Sequence, residues 1–112
     1  MYLMNNNKGD NMTNEEAKTI AGTILKQLGG NKFIAMTGAH SFSYDKNGTM
    51  VLKFKGSKTF NGLRISLNSI DTYDMTFIKI RNLKFSKKEI SGVYNDQLQS
   101  IFEEETGLYT HL

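Results

Sequence analysis

His40 and His111 are the only imidazoles in the chain, and Asp71 and Asp74 are carboxylates that could join one of them in general acid–base or metal chemistry. Neither histidine has a second ligand or base at a motif spacing, and two histidines so far apart in sequence read as incidental. The strings that mark phosphate-binding loops, nucleophile elbows, zinc peptidases and dinucleotide folds are all missing. Glu103 to Glu105 lack the inward spacing of a di-metal carboxylate site. The chain has no cysteine, which excludes thiol nucleophiles, disulfides and cysteine-bound zinc. The expectation is a protein that is not an enzyme and that uses no cofactor and no metal.

Cationic chemistry is better represented. Residues 46–88 hold ten Lys and Arg against two Asp, whereas residues 89–112 hold five carboxylates and no Lys or Arg, so the net charge of +3 conceals a strong partition. Lys53, Lys55, Lys58, Arg64, Lys79, Arg81 and Lys84 could trace a phosphate backbone, with Phe60, Tyr73 or Phe85 as stacking platforms, the combination that single-strand binders use. Thr37-Gly38-Ala39-His40 could approach a ligand closely, although its composition is first of all that of a turn.

These residues need elements to position them. Thr13-x-x-Glu16 is a capping-box pattern, and Ala17, Ile20, Ala21, Ile24, Leu25 and Leu28 follow it as one stripe of helical period, ending at Gly29-Gly30. The short apolar run Phe33 to Met36 fits a strand covered on both faces better than a new helix. Alternation then predicts a hairpin, with Phe42 and Tyr44 going out, Asp45 to Gly48 turning, and Met50, Leu52 and Phe54 returning on one face. Gly56 to Gly62 reads as a loop with Phe60 exposed on it. Leu63 to Asn68 reads as a third strand and Tyr73 to Arg81 as a fourth. In the fourth, Met75 and Phe77 share a parity with Lys79 and Arg81, which predicts either a bulge near Phe77-Ile78 or partial cover on both faces.

Leu83 to Lys88 reads as a basic connector, and Ile90 to Glu105 as a second helix capped by Ser91, striped by Tyr94, Leu98, Ile101 and Phe102, and ended by Thr106-Gly107. The glutamates in its last turn oppose the helix dipole, which predicts a basic neighbour for them. The apolar tail from Leu108 to Leu112 is expected to pack back on the core. The fold class expected is α+β, ordered α-β-β-β-β-α, with a mostly antiparallel four-stranded sheet and both helices on one face. Residues 1–12 read as a mobile leader and residues 13–112 as a single domain. By strand parity, Lys53, Lys55 and Arg64 fall on the uncovered face.

The strings Leu28-Gly29-Gly30-Asn31-Lys32-Phe33-Ile34-Ala35-Met36-Thr37-Gly38-Ala39, Leu63-Arg64-Ile65-Ser66-Leu67-Asn68, Asp71-Thr72-Tyr73-Asp74 and Phe102-Glu103-Glu104-Glu105-Thr106-Gly107-Leu108-Tyr109 run in order along the chain. This pattern resembles a family of small uncharacterised accessory proteins encoded by tailed bacteriophages, prophages and related mobile elements, and covers about residues 13–112. His40 and Ser41 depart from the Lys-Asn pair expected there. The resemblance implies a phage or prophage gene expressed in a bacterial cytoplasm, and it brings no activity, cofactor or functional residues with it.

The leading expectation is therefore a non-catalytic accessory protein that binds nucleic acid, single-stranded or without sequence preference, through the basic face of its sheet. An alternative is an inhibitor that binds a host bacterial protein such as a defence nuclease, in the manner of anti-CRISPR proteins. A third is a protein that sequesters a small molecule or nucleotide at Thr37 to His40. No apolar run reaches the ~18 residues of a membrane span, so no membrane partner is expected. The strand Ser41 to Tyr44 is an edge that could support a homodimer.

Overall fold

The computed structural model describes residues 13–110, so the leader expected over residues 1–12 lies outside the described residues, as do His111 and Leu112. Helix α1, Asn14–Leu28, opens on the expected capping box: the Glu16 N–H donates to Thr13 Oγ1 (3.1 Å) and the Thr13 N–H donates to Glu16 Oε1 (2.9 Å). Its buried stripe is Ala17, Ala21, Ile24 and Leu28. Gly29, at φ +126°, ends α1 by donating to the carbonyls of Leu25 and Lys26.

The chain does not leave Gly29 as a strand. Residues Gly30–Thr37 form a second helix, α2, of which only Phe33 and Thr37 are buried. That i, i+4 pair is the helical period compressed into a short run, where four consecutive apolar residues could serve either structure. Gly38 caps α2 in the left-handed conformation, and the Thr37 hydroxyl donates to the Phe33 carbonyl at 2.7 Å. Within the Thr37-to-His40 segment, the break its composition indicated is the link Gly38-Ala39, between the last residue of α2 and the strand that begins at His40.

Five strands follow in one antiparallel sheet, in sequence order: β1 His40–Tyr44, β2 Met50–Lys53, β3 Gly62–Leu67, β4 Tyr73–Arg81 and β5 Lys84–Val93. The β1–β2 turn is closed by Asp45, whose carboxylate accepts from the N–H groups of Asn47 and Thr49. Gly48 there is at φ +78°, where a residue with a Cβ is strained, and a Cβ on it would lie a tight 3.2 Å from the Ile20 side chain of α1.

The fifth strand corrects two expectations. Leu83 to Lys88 is not a connector and residues 84–93 are not helical; Asn82 and Leu83, at φ +52° and +67°, make a two-residue turn that returns the chain antiparallel to β4. Ser91 lies within β5, not at a helix cap, and Gly92 at φ +71° marks the single register shift of that pair, opposite Tyr73 to Met75. The irregularity foreseen near Phe77-Ile78 is absent from β4 itself, which is paired continuously with β3 from Gly62↔Ile78 to Leu67↔Tyr73. Helix α3 is Leu98–Thr106, after a 3₁₀ turn at Asn95–Gln97, and Tyr94 is exposed ahead of it.

The core joins Ala21, Ile24 and Leu28 of α1, Phe33 of α2, and Leu98 and Phe102 of α3 to Met50, Leu52, Leu63, Ile65, Met75 and Phe77 of the sheet. Phe102 is its hub, edge-on to Phe33 (5.0 Å between centroids) and Phe54 (5.1 Å), with Phe77 at 6.3 Å. Phe60, expected on the surface, packs on Phe77 at 5.4 Å. Leu108 and Thr110 of the tail turn inward, with Thr110 N–H and Oγ1 both donating to Glu103, while Tyr109 remains exposed.

Candidate functional site

The strand register sorts the side chains of the sheet into two faces. One face carries the rungs Tyr44–Met50–Ile65–Met75–Ile90 and Leu52–Leu63–Phe77–Lys88, then Lys79–Ser86 and Arg81–Lys84. The other carries Ser43–Val51–Arg64–Thr76–Glu89 and His40–Lys53–Gly62–Ile78–Lys87, then Ile80–Phe85. The core lies under the first set, and its side chains change from apolar to basic where the sheet outruns the core.

That change divides the cations expected to act together. Lys53 and Arg64 do share the face opposite the core. Lys79, Arg81 and Lys84 lie on the core-side parity, beyond the last β3 partner of β4. Lys58 stands in the β2–β3 loop beside them, its carbonyl accepting from Lys79 Nζ. Lys55 follows β2, and its N–H donates to the Thr37 carbonyl at 3.0 Å. Of the proposed aromatic platforms, Tyr73 is buried and Phe60 partly so, leaving Phe85 exposed. Burial raises the Tyr73 phenol above its ordinary range, and the polar Gln27 side chain near it offsets part of that.

Past Ile78, β4 and β5 continue as a two-stranded arm. Asn61 holds its root like one more strand residue: its N–H donates to the Ile78 carbonyl (2.9 Å), and its side chain both donates to the Ile80 carbonyl (2.8 Å) and accepts from the Ile80 N–H (3.2 Å). The end of the arm borders an open groove of about 400 Å³ lined by Lys79, Arg81, Asn82, Lys84 and Ser86, with Phe85 from the other parity. Among the described residues, Lys79, Arg81 and Lys84 take part in no ion pair. Nearer the core, Lys88 is bound by Glu105 at 2.9 Å, the basic neighbour expected for the glutamate run.

The opposite face has a different chemistry. Its three cations, Lys53, Arg64 and Lys87, share it with Asp74 and Glu89, and Lys87 is paired with Glu89 at 3.1 Å. Gly62 contributes no side chain between Lys53 and Ile78, which leaves an open cavity of about 430 Å³ lined by His40, Val51, Lys53, Ile78 and Ile80 among others. His40 Nδ1 is held by the Gly38 carbonyl at 2.9 Å, so His40 is turned to the backbone of its own turn rather than to Asp71 or Asp74. Among the described residues no group of three or more His, Asp or Glu could hold a metal ion, and no helix is long and apolar enough to cross a membrane.

The sequence reading did not single out Leu83, at the apex of the arm, or Ile80 behind it. Only the parity of Ile78 and Ile80 against Met75 and Phe77 signalled that both faces of β4 would matter. Comparison with protein-family models, with curated proteins and with solved structures found no match. Function must therefore be argued from the geometry.

Proposed function

We propose that the protein is a non-catalytic accessory protein of a phage, prophage or mobile element that binds nucleic acid without sequence preference in a bacterial cytoplasm. In this reading the helices cover one face of the sheet, and the binding surface is the arm rather than the broad face opposite them. The observation that carries it is the groove lined by Lys79, Arg81 and Lys84, with Lys58 beside it. Unpaired cations on a ribbon fit phosphates, and contacts of this kind position without reading sequence. A second reading, an inhibitor docking on a host protein, draws on the cavity between Val51, Ile78 and Ile80, whose mixed apolar and charged surroundings resemble a protein interface.

The experiment compares two charge-reversed variants, R81E/K84E on the arm and K53E/R64E on the opposite face, by fluorescence anisotropy against single-stranded and duplex oligonucleotides at about 50 and about 200 mM salt. Arm binding predicts that R81E/K84E abolishes a salt-sensitive affinity that K53E/R64E only weakens. The reverse order would return the site to the sheet face. If wild-type protein binds neither oligonucleotide at the lower salt, the nucleic-acid reading fails and the cavity becomes the leading surface.

A further inference from the structure

Leu83 is wholly exposed, with a relative accessibility of 103%, at the apex of the arm and at φ +67°. A turn of this kind is served by glycine at no steric cost, so a branched apolar residue that buries nothing and occupies the left-handed region calls for a role outside the fold. Directly behind it, Arg81 and Lys84 are cross-strand neighbours on one face, and Ile80 and Phe85, 57% and 62% exposed, are cross-strand neighbours on the other. An aliphatic tip is thus flanked by cations on one face of the arm and by apolar side chains on the other.

We infer that Leu83 is a wedge that inserts between adjacent base pairs of duplex DNA while Arg81 and Lys84 hold the flanking phosphates; this rests on the arm being the nucleic-acid surface. Apolar side chains used in this way part a base step, and the unstacking is offset by the contacts that the bent duplex allows. The chemistry favours a duplex over a single strand. Single-strand binders offer successive aromatic platforms within a basic groove. Here Tyr73 and Phe60 are withdrawn into the core, Phe85 is the aromatic left on the arm, and the residue at the apex is aliphatic, which can separate bases but offers no ring for them to stack on. An anionic bilayer is the competing ligand, because Leu83, Ile80 and Phe85 together expose apolar area of the kind interfacial binding buries, and the vesicle arm of the test separates the two.

The test uses the full chain, Leu83→Gly and R81E/K84E against a duplex carrying 2-aminopurine and a second duplex carrying donor and acceptor dyes at its ends. Wild type should raise 2-aminopurine fluorescence and shorten the end-to-end distance on binding. Leu83→Gly should bind several-fold more weakly with the same salt slope and lose both signals, whereas R81E/K84E should lose binding itself. Salt-sensitive wild-type binding with no change in either signal, or a glycine variant that keeps both, overturns the wedge and leaves the arm as a phosphate-binding surface. Absence of any duplex binding by wild type overturns wedge and arm together. Leucine-dependent binding to phosphatidylcholine–phosphatidylserine vesicles without a duplex response overturns the wedge in favour of a membrane.

Discussion

Replacing Leu83 by glycine should stabilise the protein. The side chain is wholly exposed, so its removal sacrifices no burial, and the backbone at φ +67° is in a region that glycine occupies freely. The left-handed conformation costs a residue with a Cβ about 1–2 kcal/mol. Glycine's greater freedom in the unfolded chain returns about 0.5–1 kcal/mol of that, leaving a net gain of about 0–1.5 kcal/mol, or about 0.75 kcal/mol at the midpoints. With an unfolding entropy of about 2.1 cal/mol/K per residue, the midpoint gain raises Tm by about 3 °C in a chain of 112 residues. Leu83→Ala is the control, because it deletes the same exposed carbons but keeps the Cβ and the strain, and it should stay within about 0.5 kcal/mol of wild type. Differential scanning calorimetry with parallel urea melts reads both variants. A glycine variant that melts below wild type would refute the reasoning, since it would mean that Leu83 is packed or that its turn is not strained.

Other positions give sharper losses. Phe102→Ala removes the ring shared by Phe33, Phe54 and Phe77 and should cost about 3–5 kcal/mol in a urea melt, enough to unfold a protein of ordinary stability in part; a cost near 1 kcal/mol would show that the core closes over the gap. Thr13→Ala removes the cap of α1 and should cost about 0.5–2 kcal/mol, while Thr13→Ser should cost little; equal losses would mean that the hydroxyl is not the cause. Tyr73 sets an alkaline limit. Its folded phenol ionises above the ordinary value, so the unfolded chain loses its proton first and stability falls as pH rises past about 10. Tyr73→Phe should flatten that decline in urea midpoints taken between about pH 8 and about pH 11, and an unchanged slope would remove Tyr73 as its source.

The sequence was most legible where one periodicity met one core. The capping box and stripe of α1, the β1–β2 hairpin and the span of β4 all follow from spacing alone, because Ala17 to Leu28 and Met50 to Phe77 each bury a regular face. β5 was illegible for a physical reason. It is an edge strand whose first half lies beyond the core, so Lys84, Ser86 and Lys88 occupy the positions that would be apolar in a covered strand, and no alternation survives. Tyr94, four residues before Leu98, then falls on the helical stripe with Ile101 and Phe102, although it is exposed ahead of α3. α2 failed on length, since four apolar residues do not distinguish the two periods. For the candidate site, parity placed Lys53 and Arg64 correctly. It also held the fact that Lys79 and Arg81 share the parity of Met75 and Phe77, but the consequence depends on where the core ends, which no strand pattern states.

Two glutamates of the acidic end are held at the base of the basic arm rather than at its tip. Glu103 accepts from Thr110, Glu105 holds Lys88, and the terminal carbonyls of α3 are taken by hydroxyls of the β2–β3 loop, Ser57 to Thr106 at 2.7 Å and Thr59 to Glu105 at 3.0 Å. These bonds place α3 against the root of the arm, and Glu105, only 15% exposed, gains its partner where water screens it least. Lys88 is the last residue of a rung that begins with Leu52, Leu63 and Phe77, so the ion pair stands at the point where the sheet leaves the core. Beyond it the ribbon continues with Lys79, Arg81 and Lys84 unpaired among the described residues. The partition of charge in the sequence therefore divides along one hairpin: Glu105 fastens its base through Lys88, and the cations toward its tip take part in no ion pair among the described residues.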